Sequence, residues 1–96
     1  MINFDYSIII TDMQQNEKEN LKLFGTHVQK KRKEQSGSLN EIAFTRGGVT
    51  SATLSRIENG KVDFKFSTLI RLSHTINVPL YELFKDFKYI PFDEDK

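Results

Sequence analysis

The sequence predicts an all-α fold of five short helices, with a strand-like segment at either end. Three observations carry that expectation. Apolar residues recur at three- and four-residue intervals through the middle of the chain. Helix-starting and helix-stopping residues bracket each such run. Clusters of β-branched and aromatic residues are confined to the two ends. At 96 residues and 38% hydrophobic content, the chain is one small domain with a single core. The expected organisation is an N-terminal extension over 1–16, a helical domain over 17–86 and a C-terminal extension over 87–96.

The first helix is expected from Glu17 to Gln35, with Asn16 as its cap and Ser36-Gly37 as its stop. Leu21, Phe24 and Val28 form its apolar stripe. The second is the short run "SLNEIAF", where Ser38 at the cap and Glu41 three residues on have capping-box spacing; Ile42 and Ala43 face inward. The third lies in "GGVTSATLSRIENGK", Gly47 to Lys61. Thr50 caps it, Leu54 and Ile57 are its buried side, and Asn59-Gly60 supplies the left-handed residue that ends it. Its outer face is nearly bare of large side chains, as suits a surface built to touch something. The fourth, Phe66 to Ile76, carries Leu69, Ile70, Leu72 and Ile76 and stops at Asn77. The fifth starts with Pro79 at its first position and buries Leu80, Leu83 and Phe84.

The ends read differently. "FDYSIII" (Phe4 to Ile10) and "FKYIPF" (Phe87 to Phe92) have strand composition, with Pro91 restricting the second to an edge or a strand end, and the acidic tail "DEDK" follows. So much apolar surface is expected to be covered, either by pairing between two subunits or by packing within the chain.

Several function classes fall away on composition. The chain has no cysteine, which excludes disulfides and thiolate zinc sites. His27 and His74 are isolated from each other and from any ligand cluster, so neither a metal nor another cofactor is expected. No Ser-His-acid set, phosphate loop or paired carboxylates stand out, and no enzyme is expected. "SIII" is far shorter than the roughly 20 apolar residues that cross a bilayer and lacks a preceding basic segment, so the expected address is the cytoplasm, with no membrane partner.

Net charge is only +1, but its distribution is uneven. Residues 22–71 hold ten basic and four acidic side chains, an excess of +6, between a first section at −3 and a last section at −2. Gathered on one face, such an excess is the footprint of a polyanion-binding surface; spread out, it is a solvated mixed surface.

The second and third helices, joined across Gly47-Gly48, have the elements of a helix-turn-helix, whose second helix enters the DNA major groove. The order "RKEQSGSLNEIA", "GVTSATLSRIENGK", "STLIRLSHTINVPLYELF" resembles the Cro and phage-repressor type, also called the xenobiotic-response-element family, from about Leu23 to Phe84. The resemblance implies a compact, lambda-repressor-like five-helix domain that binds double-stranded operator DNA as a homodimer and regulates transcription. It further implies that Ser51, Ala52 and Arg56 face bases, that Thr50 caps the recognition helix, and that Thr53, Asn59 and Lys61 reach phosphates. Arg32 and Glu58 match a family ion pair tying the first helix to the end of the third.

The side chains admit readings of their own. Arg56 is the one long, donor-rich side chain on the outer face of the third helix; its guanidinium can take guanine O6 and N7 together, or a phosphate, or remain solvated. Ser51 and Thr53 can donate to base edges or phosphates, while Ala52 offers only a methyl contact to thymine. The N–H groups of Thr50 and Ser51 lie at a helix start, a natural phosphate site. Lys61 and Lys65 are further phosphate candidates. Four features depart from the family pattern. The turn is one residue longer than the family's, with Gly47-Gly48 where one glycine is common, a change that bears on how the recognition helix is rotated. Leu39 replaces a glutamine that opens the second helix. Lys31 replaces an apolar residue, and Lys65 replaces a helix cap. On the same fold, an antitoxin or protein-binding adaptor using the apolar ends is the alternative function.

Overall fold

The computed structural model describes residues 15–35 and 47–91, which form four helices and no strand. They are α1 (Gln15–Gln35), α2 (Ser51–Glu58), α3 (Phe66–Ile76) and α4 (Leu80–Phe84). The expected helix around Ser38 to Phe44, the segment Phe4 to Ile10 and the acidic tail lie outside the described residues.

Helix α1 is a long run without proline. Glu17 lies in its first turn and Arg32 and Lys33 in its last, so side-chain charge complements the helix dipole at both ends. It reaches further toward the N-terminus than expected, so Asn16 lies inside the helix instead of capping it. The tertiary partner of Asn16 decides its role: its Nδ2 donates to the carbonyl of Pro91 at 3.1 Å. Phe24, Gly25, Val28 and Arg32 are the buried residues of α1, one continuous stripe at helical spacing.

The two middle helices are bounded by local chemistry. Thr50 is extended (φ −74°, ψ 162°), and its Oγ1 accepts the N–H of Thr53 at 3.1 Å, an N-cap. At the other end of α2, Gly60 N–H donates to Ile57 O (3.0 Å) and Lys61 N–H to Arg56 O (2.9 Å), the paired bonds of a Schellman stop. That stop needs a left-handed residue, and Gly60 supplies it at φ 67°. Helix α3 ends in the same way with Asn77 at φ 58°: Asn77 N–H donates to His74 O and Val78 N–H to Ser73 O. Asparagine is one of the few residues to adopt that conformation readily.

Leu54, Ile57, Leu72, Ile76, Leu83 and Val28 fill the core, with Phe24, Val49 and Val78 at its margin. Three apolar expectations change. Ile70 is 42% exposed and Phe84 likewise, although the Phe84 ring stacks on Phe24 with centroids 5.6 Å apart. Of the apolar residues of α3 only Leu72 and Ile76 are fully buried, because an eleven-residue helix on a small core buries one narrow stripe. Pro79 is the cap of α4 and not its first helical residue: its ψ of 151° is extended, and its carbonyl accepts the N–H of Leu83.

Residues 87–91 do not form a strand. Asp86 turns left-handed (φ 65°), Phe87 N–H donates to Phe84 O, and the Phe87 ring folds edge-on against Phe24 with centroids 5.4 Å apart. From there the chain runs irregularly along α1. Asn20 takes the place of a neighbouring strand, its Oδ1 accepting Ile90 N–H at 2.6 Å and its Nδ2 donating to Ile90 O at 2.8 Å. A side-chain amide has the same donor and acceptor as a peptide group, so one asparagine satisfies both backbone groups of Ile90. Within the chain, Phe87 and Ile90 are thus partly covered, while Tyr89 stays 65% exposed.

Candidate nucleic-acid interface

Helix α2 is anchored from beneath and left open above. Leu54, Ile57 and Glu58 are buried, whereas Ala52, Arg56 and Asn59 are exposed at helical spacing on the opposite face, with Ser51, Thr53 and Ser55 half-buried at its sides. The outward row carries one methyl, one guanidinium and one amide, ringed by hydroxyls.

Several of these groups already have intramolecular bonds. The Thr50 hydroxyl caps Thr53 N–H and donates to Thr53 Oγ1 at 3.0 Å. What the helix start can still offer a ligand is the N–H groups of Ser51 and Ala52, which have no acceptor within the helix by its geometry. Asn59 Nδ2 donates to Ser55 O at 2.8 Å and, at the longer distance of 3.5 Å, to Ser55 Oγ, so its amide N–H groups are turned back onto α2. Lys61 sits just past the Schellman turn with its side chain exposed, and Lys65 is exposed at the cap of α3, where it makes no side-chain capping bond. The structure therefore brings Ser51, Ala52, Thr53, Arg56, Asn59 and Lys61 onto one helix and its exit, with Lys65 on the loop that follows.

Three contacts hold α2 in place. The first is the ion pair of Arg32 and Glu58, with Nε to Oε2 at 2.6 Å and Nη2 to Oε1 at 3.0 Å. The two side chains are 6% and 2% exposed, so the pair is buried and two-pronged. The Glu58 hydrogen bond raises the Arg32 pKa, outweighing the opposing effect of burial. The second is Gly25. A Cβ there would fall onto Ile57 O and lie 2.6 Å from Glu58 O, so the α1 backbone rests on the last turn of α2 with no room for a side chain. The third is Thr75, buried in α3. Its Oγ1 accepts the N–H of Val49 at 2.8 Å while donating to Arg71 O at 2.8 Å, which hangs the approach to α2 from α3.

Gly25 and Thr75 were not singled out by the sequence reading, although signals for them exist. Gly25 sits four residues after Leu21 on the core stripe of a helix, where glycine marks a close approach. Arg32 is four residues after Val28 and Glu58 four after Leu54, so both charges stand on core-facing positions of their helices. Thr75 lies beside Ile76 on the buried face of α3, but its partner is 26 residues away and nothing local announces it.

Thr75→Val is expected to destabilise the domain by about 1–3 kcal/mol, because the buried Val49 N–H loses its acceptor in a side chain of nearly unchanged shape. Thr75→Ser, which keeps the hydroxyl, should lose clearly less. Denaturant midpoints of the two variants check this; equal losses would assign the effect to packing.

His27 lies against the Phe87 ring with centroids 5.4 Å apart. No three His, Asp or Glu side chains come together among the described residues. Nor is any helix among them long and apolar enough to cross a membrane.

A family model described as helix-turn-helix matches residues 28–83, more than half of the chain, from the middle of α1 to the last turn of α4. Neither a curated protein nor a solved structure matches the chain.

Proposed function

The chain belongs to the helix-turn-helix family of the Cro and phage-repressor type, a DNA-binding family, and from that premise we propose that it is a sequence-specific transcriptional regulator. In this reading it is a cytoplasmic, non-enzymatic homodimer on a two-fold operator. The observation that carries it is α2: buried through Leu54, Ile57 and Glu58, clamped by α1 and α3, and open along Ala52 and Arg56. A helix fixed along its buried side and bare on the opposite face suits insertion into a major groove.

The proposed roles follow from exposure and donor chemistry. Arg56 reads guanine through O6 and N7, Ser51 donates to a base edge, and Ala52 packs on a thymine methyl. Thr53, Asn59, Lys61 and Lys65 hold phosphates, together with the backbone at Thr50. So few long side chains on the reading face leave part of the specificity to the shape of the DNA. In a dimer that uses successive major grooves on one side of the duplex, half-sites lie about 34 Å apart.

Site selection from a random duplex pool at physiological salt tests the reading, with Arg56→Ala run alongside. The expected result is a palindrome that the variant reads less strictly at one position per half-site, with a loss of about 1–3 kcal/mol for the preferred base there. A folded protein that enriches no sequence would instead favour a protein-binding role on the same fold.

A further inference from the structure

The loop after α2 and the first turns of α3 enclose an open cleft of about 460 Å³ next to the reading face. Thr53 and Arg56 line it from α2, and Lys65, Ser67, Thr68 and Arg71 from the α3 side. Arg56, Lys65 and Arg71 are all exposed, and no carboxylate forms an ion pair with any of them among the described residues. The acid on the rim, Asp63, accepts the N–H of Phe64 at 2.9 Å. One opening therefore holds three unpaired cations against one carboxylate, with three hydroxyl donors between them. Like charges gathered without counter-ions repel one another, and a bound anion relieves that repulsion.

We propose that this cleft seats a backbone phosphate of the same DNA duplex, with Arg71 as its principal charge and Ser67 and Thr68 as neutral donors. The assignment rests on the DNA-binding reading and deepens it. Arg56 belongs to both the outward row of α2 and the cleft wall, so the cleft opens where a strand leaving the major groove would pass. A phosphodiester matches the donors present: a planar guanidinium fork takes two phosphate oxygens, and hydroxyls complete the shell. Arg71 then carries affinity but no sequence information.

The experiment compares the salt dependence of DNA binding by the full chain with that of Arg71→Gln and Arg71→Lys. It uses the selected duplex and an unrelated duplex of equal length. Losing one phosphate contact should flatten the slope of log K against log salt by about 0.9 on both duplexes, leave the preferred sequence unchanged, and be restored by lysine. An unchanged slope for Arg71→Gln, while Arg56→Ala still weakens binding, overturns the phosphate seat and leaves the regulator reading intact. A wild-type chain with no salt-dependent DNA binding overturns both. A seat for free phosphate would show Arg71-dependent binding of inorganic phosphate alone with no change in DNA slope, which also overturns the assignment. Melting curves of the variants are taken in parallel, and the slopes are measured below the lowest melting temperature, so that unfolding cannot mimic the loss.

Discussion

Glu58→Ala is expected to cost about 3–5 kcal/mol of folding stability, as much as truncating a fully buried core side chain. The reason lies in what remains. Arg32 is buried at 5% exposure and, as an arginine, stays protonated at any ordinary pH, so removing Glu58 takes the carboxylate that meets two of its donors away from a charge that stays in the core. In a domain of this size each kcal/mol moves the melting temperature by roughly 4–8 °C, so a thermal scan should show a drop of well over ten degrees. Two further variants separate the electrostatic account from simple loss of packing. Glu58→Gln keeps an acceptor but not the charge and should fall between wild type and alanine. The double change Arg32→Met with Glu58→Leu removes both charges together and should recover most of the stability, because an apolar pair of similar volume needs no compensation. A melting curve unchanged by Glu58→Ala would refute the argument.

Gly25→Ala is expected to destabilise by about 3 kcal/mol, at the upper end of what overpacking costs. This is a sharp test because local propensity predicts the opposite sign: in a helix interior alanine is favoured over glycine by roughly 1 kcal/mol. The atoms in the way are the carbonyls of Ile57 and Glu58, which are backbone and cannot swing aside like a flexible side chain. Relief requires α1 and α2 to move apart, which lengthens the Arg32–Glu58 bonds at the same time. The two sites are therefore coupled, and the loss for Gly25→Ala together with Glu58→Ala should be smaller than the sum of the single losses. Denaturant unfolding of the four proteins in this cycle measures the coupling. An alanine variant more stable than wild type would show that the close approach is not maintained.

The parts of the fold legible in the sequence were those whose cause is local. Thr50 and the Asn59-Gly60 stop mark α2 because a cap and a left-handed residue act within one turn, and Asn77 marks the end of α3 for the same reason. The apolar stripe of α1 was legible in Leu21, Phe24 and Val28. The beginning of α1 and the path of residues 87–91 were not. Both depend on Asn16 and Asn20 meeting Pro91 and Ile90, partners 70 or more residues distant. The composition of "FKYIPF" suits a strand, but its pairing needs are met by one asparagine side chain, and composition cannot reveal that. On the candidate surface, the buried side of α2 at Leu54 and Ile57 followed from helical spacing, whereas Ala52 and Asn59 were pointed to by the family resemblance. The cleft with Arg71 followed from neither, because it is assembled from two helices and the loop between them, and no single stretch of chain contains it.

The longer glycine turn before α2 takes on a different meaning once the hold on Val49 is considered. The slack lies at Gly47, whose φ of +80° gives it a bend few other residues would accept, and the chain is tied down immediately afterwards where Val49 N–H meets Thr75. Thr50 then fixes the first turn of the helix. With the tie placed there, length added ahead of it is expected to be taken up as loop and not passed on as rotation of α2. Val49 would then work as a cleat, with the rope on its far side let out without turning what is made fast.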